Sequence, residues 1–299
     1  MRVGITGGTG FLGEYVVKAL IEKGHTPVII SRSNKVTSNT ELVHTNYLIS
    51  DLKKKLTGLD AIVHLAAKRG GGEKFEDYEE TINITQNIYQ ASYEIGLKNI
   101  VFASSISVYS DEKGLPWTES QLPTADSMYG ISKYTCELIG NNYSRVKGMS
   151  IKNLRLAHLF GFNEKNNYMI NLFMRQAFNG MPLKVNQSNI SRREFLYAKD
   201  AAYGIIQSLN YNGSGTFNIG NSSNVLTNEE IANVINKIFN NPENIIINGD
   251  EKSKYAINSY MSNSLSEKSI NFSPKYNIEK ALREIYSQMG ELINVPELY

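Results

Sequence analysis

Short apolar runs separated by longer stretches of mixed polarity organise the first half of the chain. RVGIT (2–6), PVIIS (27–31), LVHTN (42–46), DAIVHL (60–65), NIVFAS (99–104) and SIKNLRL (150–156) are rich in β-branched residues at consecutive positions, the pattern of strands covered on both faces. Between them, residues 11–23, 78–93 and 127–146 carry apolar side chains at helical spacing; in the second, Ile82, Ile84, Ile88, Tyr89 and Ala91 form the pattern and Gly96 follows its end. Strands and helices alternating in this way predict an α/β fold, a Rossmann-type doubly wound parallel sheet between two helical layers.

Past Phe160 the rhythm changes. A polar loop (163–167), a helix near 168–179 and the turn Gly180-Met181-Pro182 lead into REFLYAKDAAYGIIQSL (193–209), a short strand and an apolar helix. GTFNIG (215–220) is another strand, and 228–239 and 278–289 are helices. Without an internal repeat or a long linker, the expectation is two interleaved parts: a Rossmann domain of 1–160 plus about 193–221, and a smaller α/β domain of about 161–192 plus 222–299.

The first strand runs into TGGTGFLG, with Gly7, Gly10 and Gly13 placed so that a helix starts between the last two. Gly7 permits a tight turn, Gly10 lets the backbone approach a pyrophosphate, and Gly13 lets the helix pack on the strand, while the unpaired amides of the helix start favour an anion. The expected ligand is a dinucleotide. At the end of the second strand an NAD protein usually carries an acid for the ribose; here Ser31-Arg32-Ser33 stands there, with no carboxylate before Glu41. Arg32 is either a partner for the 2′-phosphate of NADP or a solvated loop residue.

Composition narrows the partners. The 299 residues are 41% apolar and 20% charged with a net charge of +2, which gives no field that would point to nucleic acid or an anionic membrane. No apolar stretch approaches ~18 residues, and Met1 leads directly into a strand, so the expectation is a cytoplasmic protein with neither a span nor a leader. Cys136 is the only cysteine, which excludes an intrachain disulfide and a cysteine metal cluster; no metal is expected.

Tyr129 and Lys133, in YGISK, are four apart on a predicted helix and therefore share a face. A phenol is too weak an acid to serve as a base at neutral pH, and a nearby ammonium together with an oxidised nicotinamide stabilises the phenolate. NIVFASSISVYS adds Ser104, Ser105 and Ser107 at the carboxyl end of a sheet strand, where open α/β sheets bind ligands.

With these pieces the chain resembles the extended short-chain dehydrogenase/reductase family, the nucleotide-sugar epimerases, dehydratases and reductases, over nearly its whole length. TGGTGFLG resembles the cofactor loop, DAIVHLAA the fourth strand, SSISVYS the serine segment, YGISK the catalytic helix, NLRLAHLFG the next strand and RREFLYAKDAA an arginine–acid–aromatic segment. The resemblance implies Ser105, Tyr129 and Lys133 as the catalytic set. Asn83, in TINITQNI, would support Lys133 through backbone and water. It also implies that Gly7, Gly10, Phe11, Leu12, Gly13, Leu65, Ala66 and Ala67 line the cofactor together with Arg32, Tyr129 and Lys133. Asp51, in LISDL, is either an adenine contact or a plain loop acid. The smaller domain would hold the substrate, a nucleotide-diphosphate sugar, and the helical segments 77–95 and 127–146 would pair two copies into a homodimer.

By the same resemblance, Tyr129 takes a proton from a sugar hydroxyl and Ser105 holds the oxygen of the keto-sugar. Family dehydratases carry Thr-Asp-Glu where this chain has Ser105-Ile106-Ser107, so dehydration is not expected. Arg193 matches an arginine that clamps a sugar diphosphate, with Arg192 as its neighbour. A second clamp position offers only Lys252 and Lys254, and His158 replaces a customary Asn, either to contact the sugar nucleotide or to pack. The leading expectation is a 4-epimerase of a UDP-hexose or UDP-N-acetylhexosamine that uses NAD or NADP, Arg32 favouring NADP and an epimerase role NAD; the alternatives are an NADPH-dependent NDP-4-keto-sugar reductase and a non-catalytic NAD(P)-sensing regulator.

Overall fold

The computed structural model describes residues 1–298 except 34–39, 70, 187, 243 and 250–254. In chain order the Rossmann half runs β1 (Arg2–Thr6), α1 (Phe11–Glu22), β2 (Thr26–Ser31), β3 (Glu41–His44), α2 (Ile49–Leu56), β4 (Ala61–His64), α3 (Glu76–Glu94), β5 (Asn99–Ser105), α4 (Met128–Lys147) and β6 (Ser150–Leu156). The chain continues with β7 (His158–Phe160), α5 (Met169–Phe178), β8 (Leu183–Asn186), β9 (Arg193–Tyr197), α6 (Ala198–Leu209) and β10 (Gly215–Ile219). The last elements are β11 (Val225–Leu226), α7 (Asn228–Ile238), β12 (Ile245–Asn248), α8 (Ser264–Ile270) and α9 (Ile278–Gly290).

Seven strands form one sheet in the order β10-β6-β5-β4-β1-β2-β3, with every pairing parallel. The order reverses between β1 and β4, the switch point above which such sheets bind ligands. Because both faces are covered, the strand interiors are largely apolar, as the runs predicted, although β6 also buries Lys152, Asn153 and Arg155. One face carries a core of Val16, Leu20, Ala201, Ile205 and Phe217 under α1 and α6. The other is filled by Ile30, Leu52, Ile88, Tyr89 and Ile151 under α2, α3 and α4.

A third core, built from Phe160, Phe173, Val185, Phe195, Ile235, Leu282 and Ile285, belongs to the smaller half. Two small sheets accompany it: β11-β9-β7, and the parallel pair β12-β8. The cores cross the expected boundary in both directions: Met261, Ile270 and Phe272, from the stretch expected in the smaller part, are buried in the first core, while Phe160 and Phe195, from stretches expected in the Rossmann part, belong to the third.

Helix α2 lies in a stretch without a predicted element. It is only eight residues long and three of them are lysines, but Leu52 and Leu56 lie one turn apart and are buried, which is enough to dock it.

Candidate active site

The glycine loop is shaped by contacts that exclude side chains. Gly7 has φ +71, and a Cβ there would stand 2.9 Å from the Ala66 amide nitrogen; a Cβ on Gly13 would stand 2.3 Å from the Gly7 carbonyl oxygen. Gly10 is the N-cap of α1 and has no side chain to satisfy the first-turn amides, so these remain open to an anion. This cradle fits the pyrophosphate of a dinucleotide. Leu12 packs into the core, and Phe11 stands edge-on to Tyr15 at 5.4 Å.

The end of β4 is held to this loop by polar groups. Thr6 Oγ1 accepts from the Ala66 amide at 3.2 Å, which fixes the Leu65-Ala66-Ala67 segment above the switch point. His64 is fully buried, 2.7 Å from Thr6 Oγ1 through Nδ1 and 2.9 Å from Thr85 Oγ1 through Nε2. Burial, aided by the charge of Lys133, pushes it down to about 3. The imidazole is a neutral strut between the cofactor loop and α3.

Farther along the sheet edge a cavity of about 360 Å³ is lined by Arg32, Asn46, Tyr47, Glu80, Asn83 and Asn87 among others. Arg32 forms an ion pair with Glu80. Asn83 lies on the exposed face of α3 and lines this cavity, while Thr81, Thr85 and Ile88 occupy the buried face. Asp51 sits in the first turn of α2 and its carboxylate accepts from Thr45 Oγ1 at 2.8 Å and the Asn46 amide at 3.2 Å. These bonds, that of Thr45 foremost, hold it below its ordinary value. Asn46 and Tyr47 line the cavity from this loop without belonging to any cofactor motif; Tyr47 has a left-handed backbone, φ 60.

Strand β5 delivers Ser105 to the cleft. Its Oγ accepts from the Ser107 amide and donates to Ser107 Oγ, both at 3.1 Å. Helix α4 starts opposite, capped by Ser127 Oγ on the Gly130 amide. Lys133 Nζ lies 5.9 Å from the Tyr129 ring centre and donates to the Ala103 carbonyl at 2.7 Å. One turn on, Glu137 accepts from Ser104 Oγ, so Lys133 and Glu137 grip consecutive residues of β5 just before Ser105. Glu137 is paired with Arg155 at 2.7 Å, both buried; Arg155 donates to the Tyr109 hydroxyl at 2.6 Å, which donates to Asn218 Oδ1 at 3.0 Å. This network was invisible to spacing arguments, because its members come from β5, α4, β6 and β10.

On β7, His158 is half-buried and donates through Nδ1 to the Glu194 carbonyl at 3.2 Å, which leaves Nε2 as an acceptor. Burial and then the Arg193 charge push it down to about 4, so it is neutral at physiological pH. The adjacent arginines differ. Arg192 is held by both oxygens of Glu230, at 2.8 and 3.1 Å, and by the Val225 carbonyl. Arg193 makes one long contact, to Asn228 Oδ1 at 3.5 Å, among the described residues. Lys252 and Lys254 lie outside the described residues. A further cation went unrecognised in the sequence: Arg69, after β4, is bidentate to the buried Glu164 carboxylate at 2.8 and 2.6 Å and lies 6.0 Å from the Phe11 ring, bridging the two halves beside the cofactor loop.

Residues 3–220 match the model of the NAD dependent epimerase/dehydratase family. A Bacillus cereus structure described as UDP-N-acetylglucosamine 4-epimerase is 48% identical, covers 100% of both chains and superposes with a TM-score of 0.94. A second Bacillus cereus structure, UDP-glucuronic acid 4-epimerase with UDP-glucuronic acid and NAD, shares the fold at 22% identity and TM-score 0.83, covering 97% of this chain and 100% of its own. The UDP-glucuronate 4-epimerase of Thermodesulfobacterium geofontis is 22% identical over 97% of both chains.

Proposed function

The chain belongs to the NAD-dependent epimerase/dehydratase family and is an enzyme, and on that footing we propose that it interconverts the 4-epimers of a UDP-hexose or UDP-N-acetylhexosamine, with UDP-N-acetylglucosamine the first candidate. The observation that carries this reading is that Lys133 Nζ lies 5.9 Å from the Tyr129 ring centre on α4, whose first turn packs at Gly130 against Ser107, two residues past Ser105. The 48% identical Bacillus cereus protein supports the sugar.

Bound NAD supplies the acceptor, and then the donor, of the hydride at the sugar C4. Tyr129 takes the C4 hydroxyl proton and later returns it; the Lys133 ammonium stabilises the phenolate between these events. Ser105 Oγ, oriented by the Ser107 amide, donates to the oxygen as it becomes a carbonyl. Arg193 binds the diphosphate through a guanidinium that its neighbours leave largely uncommitted, and neutral His158 accepts from a substrate group through Nε2. The smaller half, 161–192 with 222–260 and 273–299, serves as the sugar-nucleotide domain.

The reductase alternative rested on Arg32 as an NADP signal, and the ion pair with Glu80 weakens that argument. Exposed apolar side chains on α3 and α4, Tyr93, Ile131, Leu138 and Val146, support pairing of two copies through these helices. The single buried cysteine is in keeping with a cytoplasmic setting.

The test is incubation with UDP-N-acetylglucosamine or UDP-glucose and separation of the 4-epimers, without added reductant. Formation of either epimer supports the reading. Inertness toward both, together with NADPH-dependent consumption of an NDP-4-keto-sugar, overturns it in favour of the reductase.

A further inference from the structure

Strand β2 ends without a carboxylate, and the next acid along the chain, Glu41, does not replace it. Glu41 opens β3 at the opposite end of the parallel sheet, where both its oxygens hold Arg2 at 2.7 and 2.8 Å. The adenosine end of the cradle therefore lacks the local acceptor that a ribose diol ordinarily meets. Another element reaches in. Glu80, on α3, spans the cavity and pairs with Arg32, the residue directly beyond β2.

The cavity around this pair is about 360 Å³, and Glu76 and Glu79 line it as well. Glu80 pairs with Arg32, and among the described residues two further carboxylates line the same cavity, a local charge balance that opposes an added phosphate dianion and suits a neutral diol that donates hydrogen bonds. The pair is 58 and 67% exposed, so it contributes little to stability; its effect is on what can approach Arg32.

We propose that Glu80 supplies from α3 the carboxylate missing from β2, both accepting from the adenosine ribose and occupying Arg32, and that this pair makes the enzyme select NAD(H) over NADP(H). Two elements distant in sequence share a task usually given to one residue at a strand end. The inference rests on the cofactor class of the family and not on the sugar reading, so it stands or falls separately from epimerase activity.

The experiment is calorimetric titration of the protein, freed of copurifying nucleotide, with NADH and with NADPH at fixed ionic strength. The wild type binds NADH more tightly. Glu80→Gln strengthens NADPH binding by about tenfold or more and weakens NADH about threefold, as removal of one close charge and one acceptor implies. Adding Arg32→Ala to Glu80→Gln abolishes the NADPH gain. Glu80 is exposed, so both variants keep the wild-type melting temperature; Glu80→Ala repeats the titration with the side chain removed. A wild type that prefers NADPH, or an unchanged NADH-to-NADPH ratio in both Glu80 variants, overturns the proposal.

Discussion

Gly130 packs against Ser107 so closely that a Cβ on the glycine would stand 2.0 Å from the serine carbonyl oxygen. The start of α4 can approach the serine turn only because position 130 has no side chain, and Tyr129 is carried in with it. Gly130→Ala therefore has to push α4 away from β5. The expected results are a loss of ~1–3 kcal/mol from overpacking and a fall in kcat of about 100-fold from misplacement of Tyr129, read by denaturant unfolding and by epimer formation. Normal turnover in a stable Gly130→Ala protein would show that the spacing of these elements is not critical.

Tyr129→Phe removes the proton carrier and leaves the ring. Turnover falls by about 10²–10⁴-fold, while NADH affinity, measured by titration, stays within a few-fold of wild type. Substantial remaining activity would assign the proton to another group.

Arg193 and Arg192 give a matched pair of substitutions. Arg193→Ala raises KM for the sugar nucleotide by about tenfold or more, the scale of a lost charge-assisted contact. Arg192→Ala leaves KM near wild type and costs at most ~1 kcal/mol of stability, since its exposed Glu230 pair is a surface ion pair. An inverted pattern in steady-state kinetics would move the diphosphate contact to Arg192.

The Glu137–Arg155 pair is buried on both sides, and removing one partner strands the other. Glu137→Leu and Arg155→Met each destabilise by ~3–5 kcal/mol, whereas the double variant recovers most of that loss. Denaturant unfolding of the four proteins gives the coupling directly; simple additivity would mean that the two charges are stabilised independently.

Glu194 is fully buried, and burial, against a bond from the Met261 amide at 2.8 Å, pushes its carboxyl up to about 7. The unfolded chain releases this proton near pH ~4.3. Between those values the folded state holds more protons, so stability falls as pH rises and levels off above about 7. His64 and His158, both held neutral by burial, act oppositely, losing stability as pH falls below ~6.5. The difference in melting temperature between wild type and Glu194→Gln isolates the carboxyl: it shrinks as pH falls from 7 to 5. A pH-independent difference would place the titration elsewhere.

The alternation of apolar runs predicted β1, α1, β6 and α9 nearly to the residue, because each is long or strongly patterned and its burial is dictated by the sheet or the helix period. Helix α2 and the four-residue strands β8 and β12 were not predicted: their stability comes from docking onto neighbours, which a local window does not contain. At the site, the glycine cradle and the Tyr129–Lys133 spacing were legible because both are local geometry. Asn83 shows the limit. Motif resemblance fixed its position in the chain but not its helix face, and Thr81, Thr85 and Ile88, at helical spacing, take the buried side. The pairings Arg32–Glu80, Arg69–Glu164 and Glu137–Arg155 join residues 18 to 95 positions apart, and no spacing rule reaches that far.

The sheet order has a consequence for how the chain assembles. Strands β1 to β6 can zip together as they emerge from synthesis, but β10 closes the edge only after some sixty further residues have appeared between Leu156 and Gly215. Until then β6 presents an open row of amides and carbonyls beside Ile151 and Leu154, a template for pairing with a second nascent chain. Docking of β10 is therefore the last strand pairing of this sheet to become available as the chain emerges, and a chain cut short before Gly215 would keep its dinucleotide cradle but expose an aggregation-prone edge.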